Sequence, residues 1–302
     1  MTGPDLLLRR KQPPELEMPS LEEIQSQPTI KIRPSAPLYA LELGQLWEYR
    51  ELLFFLIWRD VKVLYKQTLI GAAWAIIQPV MTMVIFTIVF SRFAKVSSEG
   101  FPYPVFAYAA LLPWQYFASA VSRSGVSLVG SSNLISKIYF PRLIVPISAA
   151  VAPIVDFSIA FLILIGMMVF YGLQPTWNLL LLPVFLLIAF VTALGVGLWV
   201  SALHVRYRDV GYAMPFLVQL WLYGSPVAYS MRTVSDNLSP LWQWIYSLNP
   251  MVAVVEGFRW ALLGTAYPPI TSILISMGMV LVLLFSGLVF FKQTESVFAD
   301  VI

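Results

Sequence analysis

The ionisable side chains inside the apolar stretches of this chain are few, and they limit the chemistry that it could perform. Asp156 lies near the middle of the apolar run 143–170, where a charge costs roughly 2.5–3.5 kcal/mol on membrane-insertion scales. One carboxylate can hydrogen-bond a neighbouring helix, or it can take part directly in transport of a proton or cation. The sequence leaves both roles open, although an ion-coupled carrier usually needs several such groups in a relay.

A second ionisable pair lies in a weaker apolar run, 242–263. Glu256 and Arg259 are three residues apart, about one helical turn, so they can form an ion pair along the helix that contributes about 0.2–0.5 kcal/mol. Asn249-Pro250 interrupts the same run. We therefore predict a re-entrant or interfacial hairpin of two short helices there rather than a membrane span.

Several kinds of chemistry are excluded by what the sequence lacks. It has no Cys, one His, no Gly-x-x-x-x-Gly-Lys-Ser/Thr phosphate loop and no Ser/His/Asp set in plausible register. Metal centres built on thiolates or several histidines are therefore excluded, and we expect the chain to bind no cofactor and to hydrolyse no ATP. Energy has to come from a partner or a gradient. A membrane-bound glycan-processing enzyme would need an acid–base pair, which we do not find.

The composition indicates which elements must position these residues. Of 302 residues, 59% are hydrophobic and 12% charged, and the mean hydropathy is +0.77, which is typical of a chain in lipid. About 20 apolar residues cross the ~30 Å hydrocarbon layer. The sequence predicts an all-α, polytopic membrane protein with six transmembrane helices, placed near residues 71–90, 104–121, 143–170, 179–203, 212–229 and 270–291.

The segments outside these spans have their own patterns. Residues 1–40 are polar and rich in proline, which predicts a disordered cytoplasmic tail, and 294–302 form a second tail. Residues 41–70 have helical periodicity with an apolar and a charged face, which predicts an amphipathic helix at the membrane interface, or alternatively a packed cytoplasmic helix. The interface residues that we single out are Trp58, Arg59, Asp60, Lys62, Tyr65 and Lys66.

The distribution of Lys and Arg predicts the orientation of the chain. Of its 19 basic residues, 15 lie in the amino-terminal region, in the connections between the second and third and between the fourth and fifth predicted spans, and in the carboxyl tail. The other 4 lie in the remaining connections. Because cytoplasmic connections are enriched in Lys and Arg, we expect both termini in the cytoplasm. A full span at 242–263 would instead leave the carboxyl terminus outside.

One long motif is more specific than these patterns. The segment from Arg59 through Tyr65 and Trp74 to Pro79 reads Arg-Asp-x-Lys-x-x-Tyr-Lys-Gln-Thr-x-x-Gly-x-x-Trp-x-x-x-Gln-Pro. It resembles the signature of ATP-binding-cassette (ABC) permeases that export bacterial polysaccharides such as lipopolysaccharide O-antigens, capsules and teichoic acids. Residues 133–142 look like the family's cytoplasmic loop, and residues 248–264 look like its outer segment before the last span. The resemblance extends over about residues 43–292.

The resemblance implies partners and a location. The permease would form a homodimer around a central channel and bind two copies of a separate cytoplasmic ABC ATPase, which would use ATP and Mg. It would lie in the bacterial inner membrane as a multi-pass protein, in contact with membrane lipid and a polysaccharide substrate, and it would bind no nucleic acid.

Roles for particular segments follow from the same resemblance. The cytoplasmic loop 122–142, unless it is an ordinary solvated loop, would receive force from the ATPase, with candidate contacts at Asn133, Lys137, Ile138, Tyr139, Phe140 and Arg142. The hairpin 242–263 would form an outer, periplasmic gate. Its candidate residues are Asn249, Pro250, Glu256 and Arg259.

Aromatic residues make up 15% of the chain, and those within spans could contact sugar, whose C–H faces stack on aromatic rings. An interfacial aromatic belt or helix packing would also explain them. The channel candidates are Trp74, Tyr108, Trp114, Tyr116, Phe117, Phe216, Gln219 and Tyr223.

Together these observations predict the membrane-spanning, channel-forming subunit of an ATP-driven ABC exporter. Its substrate would be a lipid-linked polysaccharide such as an O-antigen. A permease of the same architecture that exports a small drug or lipid is one alternative. An ion-coupled secondary carrier, which Asp156 would favour, is another.

Overall fold

A computed structural model of the chain describes residues 43–66, 73–237, 239–266 and 269–301. These residues belong to one compact unit, Pro37–Ile302, and their regular secondary structure is entirely helical. The predicted tail 1–40 lies outside the described residues. So do residues 41–42 and 67–70 of the predicted interface helix, the first two residues of the predicted span 71–90, and residue 302.

The amino-terminal part is a pair of consecutive helices, α1 (Leu43–Glu48) and α2 (Arg50–Lys66). They are almost continuous, because the amide of Tyr49 donates to the carbonyl of Gln45 at 3.0 Å across the junction. Leu56 is buried against the bundle, whereas Phe54 and Trp58 are exposed. Exposed aromatic rings beside basic residues suit a helix that lies at the membrane surface.

Four helical stretches of the described residues are long and apolar enough to cross a membrane: Trp74–Phe93, Ile144–Phe170, Trp177–Arg206 and Ile270–Glu295. They are formed by α3 (Trp74–Phe86) with a π-helical turn (Thr87–Phe93), α6 (Ile144–Val151) with α7 (Ile154–Phe170), a 3₁₀ turn (Trp177–Leu181) with α8 (Leu182–Arg206), and α13 (Ile270–Val301). The chain is therefore a polytopic all-α membrane protein.

Helix α4 (Tyr103–Gly130) lies at the centre of the fold and packs against α3, α6, α7, α8 and α12 (Pro250–Leu263). Its 28 residues rise about 42 Å, so the helix extends well beyond the predicted span 104–121. Residues 122–130 therefore continue the helix rather than start a loop at 122. The small residues Ser124 and Gly125 allow this extension, because they fit closely against Gly197 and Val200 of α8.

The predicted span 212–229 is helical over only part of its length. Helix α9 (Val210–Tyr223) has 14 residues and rises about 21 Å, which is less than the ~30 Å hydrocarbon layer. The following residues, 224–230, are not helical. Pro226 contributes to this ending, because proline has no backbone N–H with which to continue the helical ladder.

Short helices complete the fold around this non-helical segment. They are α5 (Ser132–Ile135), which follows α4, and α10 (Met231–Asn237), α11 (Pro240–Ser247) and α12. The apolar run 242–263 thus consists of parts of two helices that meet at Leu248 and Asn249. The Asn249 side chain caps α12 by accepting a hydrogen bond from the Met251 amide at 3.0 Å.

The two ends of the bundle have separate apolar cores. One core joins Leu56 of α2 to the last turns of α4 and α8 and to Phe291 and Phe298 of α13. The other core contains the first half of α4 together with α12 and Val227. Helix α2 and the carboxyl-terminal part of α13 consequently lie at the same end of the bundle, whereas the segment 224–230 and α12 lie at the opposite end.

Candidate functional site

Arg259 of α12 is completely buried and donates to four backbone carbonyls. Its Nε atom donates to the carbonyl of Phe106 at 3.2 Å. Nη1 donates to the carbonyls of Pro226 at 2.6 Å and Tyr229 at 2.8 Å, and Nη2 donates to that of Val227 at 2.5 Å. Three of these acceptors belong to the non-helical segment 224–230.

Glu256 completes this arrangement one turn earlier on α12. Its Oε1 atom lies 3.2 Å from Nη1 of Arg259 and accepts a hydrogen bond from the backbone amide of Met231 at 3.0 Å. The Arg259 guanidinium also lies over the Phe106 ring, 3.7 Å from its centroid. The structure contains the predicted ion pair one helical turn apart. Because the pair is buried, removing one partner should cost about 3–5 kcal/mol, more than the few tenths that its spacing alone suggests.

The position of this pair has a simple physical reason. Non-helical backbone within a membrane protein is tolerated only where internal partners satisfy its polar groups. Arg259 supplies several donors to the segment 224–230, and the hydroxyl of Tyr103 supplies another to the carbonyl of Ala228 at 2.8 Å. These side chains replace the hydrogen bonds that a helix continuing through residues 224–230 would have made internally.

Asn249 binds the beginning of the same segment. Its Nδ2 atom donates to the Gly224 carbonyl at 3.0 Å and to the Ser225 hydroxyl at 2.9 Å. Its Oδ1 atom accepts from Nε1 of Trp221 at 2.9 Å, in addition to its capping bond. Pro250 is buried at the first turn of α12. The four gate candidates therefore lie on or beside one helix that holds the segment 224–231 in place.

The aromatic channel candidates divide into two groups. Tyr108, Trp114, Tyr116 and Phe117 of α4 are buried inside the subunit. The hydroxyl of Tyr108 donates to the Ala160 carbonyl at 3.2 Å, and that of Tyr116 donates to the Ala150 carbonyl at 3.1 Å. Phe117 packs edge-on against the ring of Trp221 in α9. These side chains thus pack helices together within the subunit and are not exposed as the predicted channel lining would be.

The remaining candidates are exposed. Phe216, Gln219 and Tyr223 are spaced by three and four residues and lie on one exposed side of α9. Tyr212, which the sequence analysis did not single out, extends this stripe by one turn and is 86% exposed. Its spacing of four residues before Phe216 was the signal that could have identified it. Trp74 is exposed at the start of α3.

Asp156 lies in the first turn of α7, directly after the break between α6 and α7 at Ala152 and Pro153. Asp156 thus lies near the middle of the membrane-crossing stretch Ile144–Phe170, as predicted, and the structure adds a break in the helix just before it. Its Oδ1 atom accepts a hydrogen bond from the hydroxyl of Tyr65 of α2 at 2.5 Å. Burial, followed by this hydrogen bond to Asp156, raises the pKa of Tyr65, so its hydroxyl remains a donor at neutral pH.

The Tyr65–Asp156 bond borders a cleft of about 290 Å³ between α2, α3, α4 and α7, whose wall is mainly apolar. The exposed ring of Trp74 also lines the cleft. Gln78, Gln115 and Ser119 add amide and hydroxyl groups that the sequence analysis did not single out. In the sequence, Gln78 and Gln115 interrupt otherwise apolar runs, and polar residues in such runs indicate a functional site.

The coupling candidates begin at Asn133 within helix α5 and continue after the helix, and their side chains have different surroundings. Asn133, Lys137, Ile138 and Tyr139 are exposed, and Tyr139 is 91% exposed. Phe140, in contrast, is buried in the core shared with α2 and α13.

Arg142 holds the end of this segment against α13. It donates to the Glu295 carbonyl and lies over the ring of Phe298. The exposed residues before it thus form a projecting tip on a fixed base.

The interface candidates of α2 are mainly exposed or half-buried. Trp58, Lys62 and Lys66 are exposed. Arg59 and Asp60 are half-buried and form an ion pair at 2.8 Å. Among the described residues, no group of three or more His, Cys, Asp or Glu side chains could hold a metal ion.

Known proteins resemble this chain over most of its length. Residues 51–263 match the family model described as ABC-2 type transporter. The chain is 26% identical to the O-antigen export system permease protein RfbA of Myxococcus xanthus over 85% of this chain and 97% of that protein. It is 23% identical to the polysialic acid transport protein KpsM of Escherichia coli, over 78% of this chain and 91% of KpsM.

A third relative is the inner membrane transport permease YadH of Escherichia coli K12. It is 24% identical to this chain over 78% of this chain and 88% of YadH. The family model alone covers more than half of the chain. The chain is thus a transport subunit that is not itself catalytic, and it belongs to the ABC-2 type transporter family of membrane permeases.

Proposed function

We propose that the chain is the membrane-spanning, channel-forming subunit of an ATP-driven exporter that moves a lipid-linked polysaccharide, such as an O-antigen, across the bacterial inner membrane. The observation that carries the proposal is the exposed stripe of Phe216, Gln219 and Tyr223 on α9, with Trp74 exposed at the start of α3. Rings and an amide on an exposed face can stack on sugars and hydrogen-bond them without a deep charged site.

The relatives RfbA and KpsM support this substrate class, since their names describe export of O-antigen and transport of polysialic acid. Permeases of the ABC-2 family pair with ABC ATPase subunits. The proposed complex contains two permeases around a central channel and two cytoplasmic ATPases, which bind the ATP and Mg. The exposed tip at Lys137, Ile138 and Tyr139 is the proposed contact that transmits ATPase closure to the spans.

The proposed topology has six crossings and both termini in the cytoplasm. Helix α4 provides the second crossing, and α9 together with the segment 224–230 provides the fifth. Two observations support this arrangement: α2 and the end of α13 share one core, and basic residues are concentrated in the amino-terminal region and in connections assigned to that side. Helices α11 and α12 then form a periplasmic hairpin at the channel exit.

Deleting the coding sequence in the native bacterium tests the function. We expect loss of surface polysaccharide together with accumulation of the lipid-linked polymer inside the cell, and recovery of both when the gene is restored. Unchanged surface polysaccharide, with increased sensitivity to a small drug or an altered distribution of a lipid, would favour instead a permease of the same architecture for small molecules.

A further inference from the structure

A second cavity, of about 410 Å³, lies between α2, α4 and α6. Its size falls within the range of about 300–1,000 Å³ that is usual for small-ligand sites. Two arginines line it, Arg59 from α2 and Arg123 from α4, with the hydroxyl-bearing residues Ser127 and Ser131. The rest of its wall is aliphatic and includes Val63, Val126, Val145 and Ala149. Cationic and apolar groups thus border the same space.

The charges in this cavity are not balanced. Asp60 also lines it, but Nε and Nη2 of Arg59 already donate to the Asp60 Oδ1 atom at 3.0 Å and 2.8 Å. The other carboxylate oxygen of Asp60 accepts from the hydroxyl of Ser148 at 3.4 Å. Of the ion pairs in the described part of the chain, none includes Arg123. Half-buried Arg123 therefore leaves the cavity with an uncompensated positive charge.

The location of the cavity indicates what could neutralise this charge. It lies at the end of the bundle where α4 finishes, as its lining by Val126, Ser127 and Gly130 shows. Its other wall belongs to α2, whose exposed Trp58 and Lys62 suit the membrane surface. Basic pockets between helices at the cytoplasmic side of a membrane attract anionic lipid head groups.

We propose that the cavity between α2, α4 and α6 binds the phosphate or diphosphate head group of an amphiphile. Arg123 supplies the main positive charge, Arg59 supplies a second one that it shares with Asp60, and the hydrocarbon chain runs along Val63 and Val126. The assignment to the inner leaflet rests on the proposed function. The head group has two possible sources: an anionic phospholipid, or the diphosphate that joins a glycan to its lipid carrier.

The test measures binding to the intact permease–ATPase complex in nanodiscs of phosphatidylcholine. The three probes are a fluorescent prenyl diphosphate, phosphatidylglycerol and inorganic pyrophosphate. Arg123→Gln should weaken amphiphile binding about tenfold, because it removes a charge-assisted contact. Arg59→Gln should weaken binding less, since Arg59 already has a partner. Arg92→Gln is the matched control, because Arg92 is an exposed arginine at the far end of the first span, and it should leave binding unchanged.

The probes separate the sources of the head group. Tighter binding of the prenyl diphosphate than of phosphatidylglycerol supports the lipid carrier of a glycan, whereas equal or tighter binding of phosphatidylglycerol supports a membrane phospholipid. Inorganic pyrophosphate that competes as strongly as either amphiphile would overturn the amphiphile site. So would equal binding by the wild type and Arg123→Gln, once gel filtration and ATPase co-purification show that the variant is folded.

Combined with the binding measurement, the deletion experiment distinguishes failure of the head-group site from failure of the proposed export function. If deletion leaves surface polysaccharide unchanged while Arg123→Gln still weakens binding about tenfold, the exporter proposal fails and the head-group site stands. If deletion abolishes surface polysaccharide while Arg123→Gln binds like the wild type, the exporter proposal stands and the site is refuted.

Discussion

The guanidinium of Arg259 lies 3.2 Å from the carboxylate of Glu256, and both side chains are enclosed within the protein. The pair binds the carbonyls and the amide of the segment from Pro226 to Met231. Residues 224–230 follow α9 without being helical, and Met231 begins α10. Two charges on α12 thus determine the path of the backbone between α9 and α10, at the end of the bundle that we assign to the periplasm.

Replacing Arg259 by Met should destabilise the protein strongly. The change preserves most of the side-chain volume but leaves the Glu256 carboxylate buried without its counter-charge and removes the donors to several buried carbonyls, which should cost about 3–5 kcal/mol. The unfolding midpoint of the purified protein in detergent measures this loss. Arg232→Met on α10 is the control, because Arg232 is exposed and its removal should leave the midpoint nearly unchanged.

The double variant Arg259→Met with Glu256→Leu refines the same test. It removes both buried charges, so it should recover part of the stability that Arg259→Met alone loses. Equal unfolding midpoints for Arg259→Met and the wild type would contradict the structural role of the pair.

Tyr65→Phe should loosen α2 from α7. It removes the hydroxyl that donates to Asp156, and a hydrogen bond to a charged group contributes about 1.5–3 kcal/mol. Asp156→Asn keeps an acceptor and should cost less. Limited proteolysis of α2 in membranes would report this order, and greater cleavage in Asp156→Asn than in Tyr65→Phe would refute it.

Substitution of Asp156 also tests whether this residue only packs helices together or couples transport to an ion. The structure assigns it a hydrogen bond to Tyr65, and family membership places the energy source in a partner ATPase. The pH profile of transport should therefore keep its shape in Asp156→Asn. A pH dependence of transport that is present in the wild type and disappears in this variant would instead show that Asp156 carries a proton.

Tyr139→Ala should weaken binding of the ATPase without unfolding the permease, because the Tyr139 side chain is 91% exposed. Phe140→Ala provides a contrast, since Phe140 is buried and its truncation should cost about 3–5 kcal/mol of stability. Co-purification of the ATPase with each variant, normalised to the amount of inserted permease, measures the effect. Unchanged co-purification with Tyr139→Ala would show that the contact lies elsewhere.

A tag attached after residue 302 should react only with cytoplasmic reagents. Helix α2 and Phe298 of α13 share one core, and the basic residues favour the cytoplasm for that end of the bundle. Accessibility of the tag from the periplasm alone would refute the orientation and the number of crossings together.

The sequence was sufficient to predict the polytopic helical class, because long apolar runs have few alternatives to helices in lipid. It did not predict that α9 ends at Tyr223. A local apolar pattern does not reveal that donors from Arg259, more than 30 residues further along the chain, satisfy non-helical backbone.

The functional residues were harder to predict than the spans, for a similar reason. Tyr116 and Tyr223 are both tyrosines in apolar runs, yet Tyr116 is buried with its hydroxyl on the Ala150 carbonyl and Tyr223 is exposed. Their different surroundings depend on tertiary packing, which composition and spacing do not specify. Arg123 was counted in the charge balance, but its cavity depends on how α2 packs beside α4 and α6.

The most direct test measures ATP-dependent translocation of lipid-linked polysaccharide in sealed vesicles that contain the permease and its ATPase. The variant Trp74→Ala with Phe216→Ala and Tyr223→Ala removes the exposed rings assigned to the glycan, whereas Trp177→Ala removes a remote exposed ring. We predict that the triple variant keeps ATPase binding but transports at least about tenfold more slowly, and that Trp177→Ala transports like the wild type. Absence of ATP-dependent polysaccharide translocation by the wild-type complex, or equal rates for the triple variant and the wild type, would contradict the proposed polysaccharide channel.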